Sequence, residues 1–263
     1  MISCLNSLRL ASWKIFQPLV AVPASVDSVI SDLFVWRTSS SFKTYFELTS
    51  IPSLFDPHAI SEQDVTIFFF DAFGQLISQT NLSIPPHTRQ TLDIACYLPN
   101  GSGSLGTFAV FHSHTPNFVR SLGSFVSERG YVGYSYNSST IVSYVHGNFD
   151  TIAYSADSSL EMLGSQSFRS RSYMLQHLLA PSFDYEIAIV NPTNSSQTVC
   201  CDVLTLTGCL IQTLTVSLQS RALHLFRISP TQEKIKVVLH SKLVMARPLV
   251  FRSSDAGLDV FHG

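Results

Sequence analysis

Charge is what this sequence holds least of. Lys and Arg number 16 and Asp and Glu 18 in 263 residues, 13% together, about half the ~25% of an ordinary soluble domain. The signs nearly cancel, to a formal −2, and no basic run occurs. The chain therefore lacks the cationic stripe that phosphate-backbone binding requires, and nucleic acid is excluded as a partner. Long apolar runs are missing too: none reaches the ~18 residues of a membrane span, which excludes a transmembrane helix. Cys4, Cys96, Cys200, Cys201 and Cys209 show no recurring spacing, so neither a disulfide framework nor a zinc site is expected. Adjacent Cys200 and Cys201 would point to opposite faces of a strand and read as small hydrophobes. There is no G-x-S-x-G elbow and no phosphate loop. Arg9 and Lys14 precede an apolar patch that Pro18 and Pro23 interrupt, a poor fit to a secretory leader that leaves the compartment open.

What the chain does have is serine and apolar side chains. Its 40 Ser outnumber all charged residues, and 45% of the chain is hydrophobic. The core is therefore ample and the surface is covered by hydroxyls and amides, which suit exposed strand faces. A surface this poor in charge resists association weakly, so a homo-oligomer is an expectation.

The second half echoes the first. Residues 65–94, "VTIFFFDAFGQLISQTNLSIPPHTRQTLDI", lie without a gap over residues 199–228, "VCCDVLTLTGCLIQTLTVSLQSRALHLFRI". Gly74 falls on Gly208, Ser83 on Ser217 and Ile94 on Ile228; outside this block, "YFELTSIP" resembles "YEIAIVNP" and "YVHG" resembles "VFHG". The glycines supply the positive φ of a bulged hairpin turn. Short alternating segments punctuated by Gly and Pro predict an all-β fold. The expected architecture is two tandem antiparallel β-sandwich units, immunoglobulin- or fibronectin-like, from an internal duplication. The boundaries expected are 1–33, an N-terminal segment partly helical over 23–34; 34–157, a first sandwich; 158–172, a linker; and 173–263, a second sandwich. A further short helix is expected at "SSLEMLG".

Candidate site residues lie in the first unit. "GYVGYSYNSSTIVSYVHGNFD" places Tyr134 and Tyr136 on one strand face and His146, Asn148 and Asp150 on another. Flat rings beside fixed polar groups are what a sugar-binding surface uses, though the same residues also make a good sheet face. The leading expectation is thus a non-enzymatic binding or structural module that recognises a carbohydrate, with a glycan or another protein as partner and no cofactor. The alternative is a metal-dependent enzyme in which His112 and His114, two apart on a strand, join His146. The "HSH" pair invites comparison with the cupin metal motif, but Phe118 and Val119 stand where that motif needs a carboxylate. A third reading is a self-assembling structural subunit. "GSGSLG" has dinucleotide-fingerprint spacing but precedes a strand-like segment, so it reads as a loop.

Overall fold

The computed structural model describes residues 28–39, 41–113, 127–147, 151–244 and 247–263. Their strands form five four-stranded sheets. Sheet one runs β12 (Leu160–Met162), β11 (Thr151–Tyr154), β1 (Val29–Asp32), β8 (Ser127–Glu128). Sheet two runs β2 (Phe34–Arg37), β7 (Leu105–His112), β4 (Gln63–Asp71), β5 (Leu76–Ile84). Sheet three runs β10 (Ser143–His146), β9 (Tyr131–Tyr136), β3 (Phe42–Thr49), β6 (Arg89–Asp93). Sheet four runs β13 (Gln166–Met174), β18 (Ile235–Leu243), β15 (Gln197–Thr205), β16 (Leu210–Leu218). Sheet five runs β17 (Leu223–Ile228), β14 (Asp184–Val190), β19 (Leu249–Ser254), β20 (Gly257–His262). Among the described residues β1 and β8 alone pair in parallel.

This corrects the expectation of two tandem β-sandwich units, and with it the immunoglobulin-like and tandem-repeat description of the molecule. The chain builds five small sheets, the sheet count of a five-bladed β-propeller, although each mixes strands distant in sequence where a propeller blade is a single four-stranded unit. Nor does the apolar interior divide between the two halves of the sequence. One buried cluster joins Phe46, Phe69 and Phe108 of the first half to Val190, Leu249 and Phe251 of the second.

Sheet five explains why. Ala188, Val190 and Phe251 belong to that first cluster, while Ile187, Ile189 and Val250 belong to a second one with Val203 and Val237 of sheet four. Both faces of the sheet are covered there, so the end of β14, residues 187–190, reads "IAIV" without a polar residue, as a stretch buried on two sides must. The same holds for "FFF" in β4. Phe69 stands 6.0 Å from Phe108 on one face, while on the other Phe68 meets Tyr154 of sheet one at 5.1 Å.

The matched stretches keep local likenesses. Both hairpins carry a register shift, at Phe69/Phe70 and at Val203/Leu204, followed by a positive-φ glycine, Gly74 at 81° and Gly208 at 91°. The first turn is tied by Asp71 Oδ1, which accepts from the Phe73 and Gln75 amides, and the second by Thr205 Oγ1, which accepts from Cys209 N. Trp36, wholly buried, donates from Nε1 to the carbonyls of Phe70 and Thr107. Gly106 makes room for it, since a Cβ there would lie 2.6 Å from Trp36 Cζ2.

Helix is slight and misplaced relative to expectation. Val29–Asp32 and Leu160–Met162 are strands, and residues 166–172 of the expected linker lie in β13. The described helical turns are α1 (Ile51–Phe55), with a proline in its first turn, and a 3-10 turn at Ile94–Tyr97 capped by Asp93. None of the described helices is long and apolar enough to cross a membrane.

Candidate functional site

Where sheets two, three and five meet, they leave a cleft of about 350 Å³. It is built around Glu186 of β14, whose two carboxylate oxygens bind two arginines. Oε2 lies 2.6 Å from Arg37 Nη1 and Oε1 lies 3.2 Å from Arg227 Nε. The two cations are unlike. Arg37 is nearly buried, its guanidinium 3.6 Å above the Phe42 ring and 4.7 Å from that of Phe251, whereas the Arg227 side chain is 81% exposed. Burial lowers the Arg37 pKa and the Glu186 carboxylate opposes that shift, the balance expected of a paired buried cation. Thr44 fixes the backbone beneath it, its hydroxyl accepting from Arg37 N and donating to Arg37 O.

Tyr136 also lines this cleft, its ring centroid 4.8 Å from that of Phe42. Asp184 and the hydroxyls of Ser39, Ser41 and Ser229 complete the polar wall. Two guanidinium groups face two carboxylates, so the cleft carries no net charge while offering donors and acceptors around an aromatic ring.

The other residues expected at a site are placed differently. Tyr134 shares the Tyr136 face, but its own ring turns toward sheet five rather than to solvent. Its ring lies 4.9 Å from Phe251, its hydroxyl donates to Val35 O, and burial raises its pKa. A ring 1% exposed offers no face for a sugar to stack on. His146 is half-buried, its Nδ1 2.6 Å from Gly147 O and its ring 4.5 Å from His262. Asn148, Asp150 and His114 lie outside the described residues. His112 is buried, with Nε2 2.7 Å from Glu128 Oε2, and Glu128 Oε1 accepts from Gly130 N. Among the described residues no group of three or more His, Cys, Asp or Glu is placed to hold a metal.

A second polar constellation lies on the open face of sheet four. Ser172 Oγ is 2.9 Å from His240 Nδ1, His240 Nε2 is 3.1 Å from Asp202 Oδ2, and Thr213 donates to Asp202 Oδ1 at 2.6 Å. With Asp202 ionised, Nε2 carries the proton and Nδ1 accepts from the serine. That ring assignment is the reverse of the one in serine hydrolases, and the hydroxyl stands on an open sheet face.

Sequence reasoning missed Arg37, Glu186 and Arg227 because they come from three segments and form no motif. The available signal was scarcity: in a chain this poor in charge, an acid or base inside an apolar strand such as "FVWR", "YEIAIV" or "LFRI" has to find a partner.

No family model matches the chain, and no curated protein does. Among solved structures, a Bacteroides uniformis β-glucuronidase 2 covalently bound to cyclophellitol-6-carboxylate aziridine aligns at 8% identity with a TM-score of 0.16. Another B. uniformis β-glucuronidase structure aligns at 9% and 0.15. Each alignment covers 88% of this chain and 25% of the enzyme, so the chain spans about a quarter of the length of those proteins. At those scores neither fold nor activity carries over.

Proposed function

We propose that this protein is a non-enzymatic binding module whose ligand is a neutral carbohydrate, held in the cleft around Glu186. The observation that carries the reading is the charge-balanced bridge Arg37–Glu186–Arg227 beside Tyr136. An ion would gain little from a cleft without net charge. A polyhydroxylated ring can use the unspent N–H groups of exposed Arg227, the Asp184 carboxylate and the serine hydroxyls, and lay its apolar side against Tyr136. The volume falls within the range of small-ligand sites. Arg37, nearly buried and paired with Glu186, sets the geometry and leaves contact to Arg227.

A glycan array followed by titration of any hit tests this. Arg227→Ala should weaken binding roughly tenfold, the loss of one charge-assisted hydrogen bond. Tyr136→Leu keeps apolar packing against Phe42 and should weaken it similarly. Absence of any glycan bound by the folded protein, or binding unchanged in both variants, would overturn the proposal.

A further inference from the structure

The bridge of Arg37, Glu186 and Arg227 has a second side. Beyond it lies a hollow of about 520 Å³, bounded by the turn between β4 and β5, the start of β7, the end of β16, and β17. Arg227 lines both the hollow and the cleft. Strand register carries the continuity further. Arg37 pairs with Leu105 across β2 and β7, and Leu225 stands two residues from Arg227 on the same face of β17. Leu105 and Leu225 both belong to the hollow's wall.

That wall differs in kind from the cleft. Leu105, Val216, Leu223 and Leu225 make it apolar, and among the described residues no carboxylate lines it. Its one arginine is Arg227, already engaged by Glu186. Burial lowers the pKa of His224, so that imidazole is neutral at pH 7. At the rim stands Phe73, 73% exposed on a turn that is held firmly: Ala72 O accepts from Leu223 N, and a Cβ on Gly74 would lie 2.8 Å from Ala222 N. In the matched hairpin a Cβ on Gly208 would meet nothing within 4 Å. The first turn is thus docked on sheet five and holds an unburied ring in place.

We propose that this hollow is the aglycone half of the binding site: the ligand is a glycoside whose sugar lies in the cleft and whose uncharged, apolar aglycone, of aryl size, lies across Arg227 in the hollow. The assignment rests on the carbohydrate reading of the cleft. The volume falls within the range of small-ligand sites. An apolar group gains there by leaving water, whereas a charged one finds no free counter-charge. A peptide strand added along β17 fits less well, because that edge is six residues long and its Leu223 N–H is already bonded.

Nile red, an uncharged dye whose emission shifts to the blue out of water, tests the hollow alone. Wild type should take it up with that shift. Phe73→Ser, at an exposed position that folding does not need, and Leu225→Gln, which keeps the volume and makes the wall polar, should each weaken uptake roughly fivefold or more. Phe168→Ser, which removes a 94% exposed ring on β13, should leave it unchanged. Calorimetric titration with methyl and phenyl β-glycosides of glucose, galactose, mannose and N-acetylglucosamine tests the link to the cleft. Where a pair binds, the phenyl member should bind roughly tenfold tighter, and Phe73→Ser should reduce that advantage while leaving the methyl glycoside unaffected. No uptake of Nile red, uptake indifferent to both hollow variants, or methyl and phenyl glycosides bound alike would overturn this proposal and leave the cleft reading intact. Uptake that the hollow variants weaken, with no glycan bound on the array or in titration, would overturn the cleft reading and the aglycone assignment with it.

Discussion

The two large apolar clusters do the same work with different side chains. The first is aromatic: Phe34, Phe46 and Phe108 interlock with centroids 5.0 to 5.4 Å apart, and Trp36 and Phe70 are wholly buried beside them. The second is mainly aliphatic, with Ile187, Val199, Val237 and Leu239 wholly buried and Phe226 among its few rings. Rings bury more area per residue and lock through edge-to-face geometry, so the first cluster concentrates its stabilisation in few positions. The second spreads it over many branched chains. Sheet five gives one face to each, so the two clusters differ in composition on opposite sides of one sheet.

The sharpest way to break the comparison is truncation. Phe108→Ala removes a ring that touches three others and should cost about 3–5 kcal/mol, whereas Leu239→Ala should cost about 2–4 kcal/mol, both read from urea unfolding. A next step asks whether the second cluster leans on hydrogen bonds where it lacks rings. Buried Asn191 donates from Nδ2 to the carbonyls of Ser195, Leu218 and Gln219, and its Oδ1 accepts from Thr193. Asn191→Ala should therefore cost about 2–3 kcal/mol by stranding those groups.

The smallest effect is set by pH. Burial, with the nearby His146 and Arg247, lowers the His262 pKa from 6.5 to about 4. The folded state thus binds fewer protons than the unfolded one between those values. His262 contributes stability that is fully present above 6.5 and is lost as pH falls toward 4. The melting temperature should drop across that window, and His262→Gln should flatten the drop.

How much of this was legible in the sequence varies by scale. All-β character was, because Gly and Pro punctuate short segments throughout. So were the two hairpin turns, where Gly74 and Gly208 take the positive φ that their spacing demanded. The layering was not. Alternation marks a strand with one wet face, and the two-unit expectation assumed such strands, but "FFF" in β4 and "IAIV" in β14 do not alternate. Those runs record a second covered face without naming the sheet that covers it. Tyr134 shows the same thing: the pattern put it on one face with Tyr136, and only its packing against Phe251 shows that its own ring is interior. The cleft was least legible, since Arg37, Glu186 and Arg227 meet only after sheets two, three and five have packed.

Sheet five, packed on both faces, should couple the two clusters into one cooperative unit. The direct measurement is equilibrium unfolding in urea followed by two probes, one in each cluster. With Trp13→Phe, Trp36 alone reports the first cluster by fluorescence. With the other cysteines changed to Ser, Cys201 reports the second; it is wholly buried and its thiol pKa is pushed up to about 12, so it reacts with a thiol reagent only when its surroundings open. Coincident transitions are predicted. Two separate transitions, with one cluster surviving the loss of the other, would contradict the account.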